Sequence, residues 1–207
     1  MYENKVDKGF DKELNITTTG LIEWPRGVNL DYFRTESSSY ADLNRFIEEY
    51  DWRENSQLVD FGSGKGRIIF YLNHQKDIPT TGIEVNQVAY SHLVQNLMAY
   101  KEKFPAKGEK VSVQEVKAED YVIKETDDIF YFLNPFTVSI FEKVVRRIEK
   151  SLKENPRVVD IILYYPNISY EYFLDKKTPF MKLQKIKNKK YFLNNRECFV
   201  VYRYYPE

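Results

Sequence analysis

Asp60, Gly62, Gly64, Gly66 and Glu84 are the residues of this chain whose types and spacing can do chemistry together. The stretch Leu58-Val59-Asp60-Phe61-Gly62-Ser63-Gly64-Lys65-Gly66-Arg67-Ile68-Ile69-Phe70 reads as a buried strand, a tight turn and a helix. Glycines in such a turn can take positive φ and carry no side chain. A ligand can therefore approach the backbone closely while the first-turn N–H groups of the following helix point at it. Asp60 sits two residues before the first glycine, at the strand's carboxyl end, where a carboxylate can accept a bond from a cationic group. Glu84 closes the next apolar stretch, Thr80-Thr81-Gly82-Ile83-Glu84-Val85. Its spacing suits a second strand's terminal acid meeting a ribose hydroxyl pair in a nucleotide-binding α/β fold. The plain alternative is an ordinary strand-to-helix turn followed by a solvated acid. The order of glycines and acids within one βαβ unit favours ligand binding.

Asp60-x-Gly62-x-Gly64-x-Gly66 with Glu84 resembles the cofactor signature of class I S-adenosylmethionine-dependent methyltransferases. A dinucleotide fingerprint wants its third glycine one residue later, and a P-loop wants Gly-Lys followed directly by Ser or Thr, whereas Gly66 follows Lys65. The resemblance implies S-adenosyl-L-methionine as cofactor, held by Asp60, Gly62, Ser63, Gly64, Lys65, Gly66, Glu84, Glu119 and Asn134. Lys65 and Arg67 are disfavoured at a helix N-terminus unless an anion sits nearby, and the methionine carboxylate would supply one. Solvated side chains are the plain alternative. The family usually has an aspartate just before the alanine of a stretch such as Lys117-Ala118-Glu119-Asp120-Tyr121, where it meets the adenine amino group. Lys117 holds that place here, so Glu119 or a backbone carbonyl replaces the contact, or the lysine simply points to solvent.

A second constellation, Asn134-Pro135-Phe136, follows the apolar run Asp128 to Leu133. It resembles the Asn/Asp-Pro-Pro-Tyr/Phe signature of amino-group methyltransferases with one proline missing. It also resembles the asparagine-phenylalanine stretch of the non-SET-domain histone lysine methyltransferase. The Asn134 amide oxygen and the Pro135 carbonyl can each accept an amine N–H and aim its lone pair at the methyl group, and Phe136 can stack on a flat substrate or a cation. A strand end with a proline helix-start signal is the plain alternative. The implied activity is methyl transfer to a nitrogen of a protein, nucleic-acid or small-molecule acceptor, with Asn134, Pro135, Phe136 and Tyr40 on the catalytic side. The competing reading is a non-catalytic S-adenosylmethionine-binding module, motivated by Lys117 and by the lack of an evident base.

Composition narrows the field. A length of 207 residues with 43% hydrophobic content suits one core, and 31 acids balance 31 bases, so no global field draws the chain to nucleic acid or membrane. One cysteine, Cys198, leaves no internal disulfide and no cysteine-rich metal site, and His74 and His92 lack ligand spacing, so no metal is expected. No apolar stretch approaches the ~20 residues that span a bilayer, and Met1-Tyr2-Glu3-Asn4-Lys5 lacks a signal peptide's apolar core. A cytoplasmic location without membrane partners is the expectation.

The elements that must position these residues follow from periodicity. Residues 1–36, with threonines at 17 to 19 and a Trp24-Pro25 pair, read as an extended or partly helical arm, and 37–207 as the methyltransferase-like domain. Tyr32 and Phe33 of the arm, with Tyr40, are candidates for lining the pocket. Ser37-Ser38-Ser39 can cap a helix from Tyr40 to Tyr50 with Leu43, Phe46, Ile47 and Tyr50 on one stripe. Helices to about Gln75, from Gln87 to Phe104 and from about Val138 to Leu152 alternate with strands ending at Glu84, Val116, Leu133 and Tyr165. Phe180 to Phe192 and Cys198 to Tyr205 read as a hairpin around Asn194-Asn195. The pattern predicts an α/β fold, a Rossmann-like three-layer sandwich on a mostly parallel seven-stranded sheet with an antiparallel C-terminal hairpin strand, and ligands at the strands' carboxyl ends. Lys182, Lys185, Lys187, Lys189 and Lys190, beside Tyr191 and Phe192, are read first as protection of an exposed edge strand. A local nucleic-acid contact is the less favoured reading.

Overall fold

Strands β1 (Leu58–Phe61), β4 (Ile129–Phe132) and β5 (Val159–Tyr164) are buried at every position, so they have no face for water and must be covered on both sides. In the computed structural model, which describes residues 5–24 and 31–206, they form the centre of a seven-stranded sheet of order β3-β2-β1-β4-β5-β7-β6. Strands β2 (Thr80–Glu84) and β3 (Val111–Glu115) continue the parallel part, while β7 (Cys198–Tyr204) and β6 (Met181–Lys187) add the antiparallel edge. Pro25 lies outside the described residues, as do residues 1–4 and Glu207.

Alternation along the strands divides the core. Val59, Phe61, Phe130, Phe132 and Leu163 share one cluster with helix α6 (Val138–Glu154) and helix α7 (Ile168–Lys177). Leu58, Tyr131 and Ile162 face the other cluster, with α2 (Tyr40–Glu49), α3 (Arg67–Lys76) and α4 (Gln87–Lys103). The three-layer sandwich expected from the sequence is thereby formed.

One helix makes the expected arm partly helical, and another adds to the expected string. Helix α1 (Lys5–Leu14) lies within the arm and packs on α2 and α3, with Leu14 and Ile16 in the core. Helix α7 follows β5 and buries Tyr170, Phe173 and Leu174. Pro105 ends α4 and opens the single turn α5 (Pro105–Gly108). The serines before α2 do not cap it through their side chains. Ser38 Oγ instead lies 2.8 Å from the Tyr131 hydroxyl, and Ser37 Oγ donates to the Thr18 carbonyl at 2.9 Å.

Arg67, the first residue of α3, fastens the arm to that helix. It is 5% exposed, and it donates to Thr18 Oγ1 at 2.7 Å, to the Ser38 carbonyl at 2.9 Å and to Asp7 at 3.2 Å, with its guanidinium 4.6 Å from the Tyr40 ring centre. Asp11, also buried, accepts from the Thr18 N–H and hydroxyl and from the Tyr40 hydroxyl. A second polar cluster lies near the amino end of β5. Asp160, wholly buried, accepts from Arg203 at 2.7 and 2.9 Å, from Arg53 at 2.7 Å and from the Tyr50 hydroxyl.

Candidate active site

Because β1 pairs in parallel with both β2 and β4, the three strands end at one edge. The turn at 62–66 leaves β1 between Glu84 and Asn134, at the place where the strand order reverses. Gly62, Gly64 and Gly66 all have positive φ, 78°, 55° and 88°, as a turn this tight requires. Glu84 clamps it. One carboxylate oxygen accepts from the Gly64 N–H at 2.8 Å, and the other from those of Val85 (2.9 Å) and Asn86 (2.7 Å). A carboxylate offers about four lone-pair sites, so roughly one remains for a ligand hydroxyl. Burial raises the Glu84 pKa against the opposing pull of those amides.

Asp60 differs from every other acid here. It is 3% exposed, lies level with Tyr131 across the β1–β4 pair, and makes no hydrogen bond to a described residue. Desolvation, and secondarily the Glu84 charge, raise its pKa well above the carboxylate range. A buried acid with nothing to hold its charge is costly unless a cation is to meet it. Ser63 Oγ, also buried, makes no hydrogen bond to a described residue either.

The chain's own residues lie over the turn. A Cβ at Gly62 would strike Pro135, and one at Gly64 would sit 3.0 Å from Thr35 Cγ2. The motif at 134–136 is thus beside the glycine turn, as its place at the end of β4 requires. Lys65 reaches back to the carbonyls of Thr19 and Gly20 and does not point to solvent. Tyr32 takes the place at Ala118. Its hydroxyl accepts from the Ala118 N–H at 3.1 Å and donates to Glu119, while Lys117 is exposed.

Only part of the second constellation faces open space. Asn134, with φ 42°, lines a cleft of about 610 Å³ with Tyr164, Tyr165 and Asp42. Its Oδ1 accepts from Asn167 at 3.2 Å and keeps a second lone pair. The Pro135 carbonyl, expected to receive an amine, accepts from the Phe33 N–H at 2.9 Å. Phe136 is fully buried, edge-on to Tyr32 and Phe132, and cannot stack on a substrate in this arrangement. Tyr40 is also sealed, packed on Phe10 and Tyr71 with its hydroxyl on Asp11, and does not reach this cleft. Phe33 does line it. The residues that sequence reasoning missed come from the end of β5, namely Tyr165, φ 51°, and Asn167, which caps α7. Their signal was the Tyr-Tyr-Pro-Asn run at 164–167, an echo of the β4 end.

Among the described residues no helix is long and apolar enough to cross a membrane, and no group of three or more His, Cys, Asp and Glu side chains is arranged to hold a metal ion.

No family model matches the chain, and no curated protein matches it. Solved structures do. The human methyltransferase 10 domain containing protein superposes with a TM-score of 0.61 at 12% identity, over 96% of this chain and 93% of that one. An RNA methyltransferase from Salinibacter ruber, in complex with S-adenosyl-L-homocysteine, gives 0.54 at 18% identity, over 83% and 95%. A protein in the NADB-Rossmann superfamily from Streptococcus agalactiae gives 0.57 at 12%, over 81% and 68%. The chain therefore has the Rossmann-like fold found in methyltransferases.

Proposed function

We propose that this chain is an S-adenosylmethionine-dependent methyltransferase that delivers the methyl group to a nitrogen held in the cleft beside Asn134. The supporting observation is Asp60, a buried carboxylate without a partner at the mouth of a glycine turn, where a cationic cofactor group would complete it. The orphaned Ser63 hydroxyl and the remaining Glu84 lone pair fit the same ligand. When bound, the cofactor supplies an electrophilic methyl on a sulfonium whose leaving group is a neutral thioether. The chain's part is alignment and exclusion of water. Asn134 Oδ1 orients the amine by accepting an N–H. Asp42, whose pKa is raised by burial and which accepts from the Tyr164 hydroxyl, stands in the cleft to take the proton the nitrogen sheds.

Calorimetry with S-adenosylhomocysteine tests the cofactor half. Binding is expected, and Glu84→Gln should weaken it roughly tenfold, because a hydrogen bond to a charged acceptor contributes about 1.5–3 kcal/mol. No heat at millimolar ligand would remove the proposal. Adenine placed at Ala118 must displace Tyr32, so Tyr32→Phe, which deletes the latch to Glu119, should tighten binding about 3- to 10-fold. Unchanged affinity would place the adenine elsewhere.

One observation favours the non-catalytic reading: the Pro135 carbonyl and the Phe136 ring are used internally. Transfer of radiolabelled methyl to fractionated cell extract separates the two, since a mere binding module labels no fraction.

A further inference from the structure

The lysine run does not end where the edge strand ends. β6 stops at Lys187, so the need to keep an edge from pairing accounts for Lys185 and Lys187 but not for Lys189 and Lys190, which stand in the connection 188–197. That connection is exposed and apolar at its tip, with Phe192 82% and Leu193 76% exposed, and at its base the buried Asn188 amide has no partner among the described residues. Lys185, Lys189 and Lys190 form no ion pair with a described residue. Lys190 faces the Asp42 charge across the cleft and Lys187 lies over the Tyr191 ring, but a loop that exposes a ring at its tip and leaves a buried amide unanswered is shaped for contact with something else.

Its position says what. Lys190 and Arg196 line the cleft that holds Asn134, and Arg196 also lines a second cleft of about 300 Å³ with Lys185 and Tyr191. The two clefts meet at Arg196, whose guanidinium lies 4.2 Å from the Tyr165 ring centre. A basic track therefore runs from Lys185 past Arg196 and Lys190 to the Asn134 amide, flanked by aromatic faces. Carboxylates border it too, but Glu36 is paired with Arg34, Asp42 with the Tyr164 hydroxyl and Glu171 with Lys182; Glu197 makes no side-chain hydrogen bond or ion pair to a described residue. Cations spaced along a groove beside stacking rings match a single-stranded polyanion with flat bases.

Resting on the methyltransferase reading above, we propose that the acceptor nitrogen belongs to a base of a single-stranded nucleic acid, with phosphates on Lys185, Lys189, Lys190 and Arg196 and a neighbouring base on Phe192. Lysines take the phosphates as point charges, and Phe192 accepts any base because every base presents a π face.

Fluorescence anisotropy with labelled single-stranded RNA and DNA of mixed sequence tests this on the full chain without cofactor. Binding is expected with a steep salt dependence. The double variant Lys189→Glu, Lys190→Glu should weaken it at least about tenfold and flatten the log–log salt slope by about 0.7 per lost phosphate contact. Phe192→Ala should weaken it roughly fivefold or more, as loss of one stacked base does. All three positions are exposed, so the variants fold. Absence of binding, or binding that both variants leave unchanged, overturns the proposal. Flotation with anionic phosphatidylserine vesicles that is abolished by Phe192→Ala, with oligonucleotides ignored, also overturns it in favour of a membrane. S-adenosylhomocysteine calorimetry on the same samples keeps the two readings apart: cofactor binding without oligonucleotide binding removes only the acceptor class.

Discussion

Asp60→Asn is expected to weaken S-adenosylhomocysteine binding about 10- to 100-fold, the worth of a charged hydrogen bond to the ligand's ammonium, while making the free protein more stable. The two effects share one cause. The carboxyl is buried beside Glu84 with no described partner, and its folded-state pKa is raised. A group that holds its proton more tightly when folded contributes stability below its unfolded pKa of ~3.9 and loses it as pH rises through the folded value. At neutral pH and above the native acid is therefore a cost, which an uncharged amide of the same shape avoids. The melting temperature of Asp60→Asn should exceed that of the parent by a margin that widens with pH. In the parent, a bound cation favours the ionised acid, so ligand binding should release protons. Calorimetry in two buffers of different ionisation enthalpy measures that release, which should be absent in the variant. Equal binding by parent and variant would show that the carboxyl serves no ligand.

Asp160→Ala is expected to lose about 3–5 kcal/mol of stability without changing ligand affinity, because it strands charges already taken out of water. Arg203 and Arg53 both bond to this wholly buried carboxylate, whose contact raises the pKa of each, and the Tyr50 hydroxyl donates to it as well. Against a typical total of about 5–15 kcal/mol, that loss removes a large share of the fold's margin. Urea titration reads it. A loss below ~1 kcal/mol would mean that water reaches the arginines once the acid is gone.

How much of this was legible beforehand depended on how local each signal was. The sheet came through because β1, β4 and β5 are short apolar runs bounded by turns, and two faces of burial leave such runs no other place. The glycine turn came through because positive φ demands glycine at 62, 64 and 66, and the place of Glu84 because it closes the second apolar strand. Helix α1 came through only as a partly helical arm, since its sequence is mostly charged with Gly9 inside it and its anchorage runs through Thr18 to Arg67, 49 residues further on. Lys65 and Arg67 misled for the same reason. Their partners stand 29 to 60 residues away, out of reach of any window. Phe136 and Tyr40 were read as pocket residues on neighbourhood alone. In a chain with 14 phenylalanines and 17 tyrosines, packing claims most rings, and here it claimed both. Residues 188–192 are read as a continuing strand because Tyr191 and Phe192 extend the run toward the Asn194-Asn195 turn, yet β6 leaves its partner at Lys187.

Asn134 and Tyr165, the residues one or two beyond β4 and β5, both adopt left-handed backbone, at φ 42° and 51°. Two adjacent strands that exit sideways leave a gap dictated by main-chain direction, at a cost of about 1–3 kcal/mol each that the surrounding fold supplies. The opening is consequently architectural, and exchanging the side chains around its rim alters which molecules are welcome without shutting the door. A scaffold of that sort can diverge in taste while its skeleton stands still.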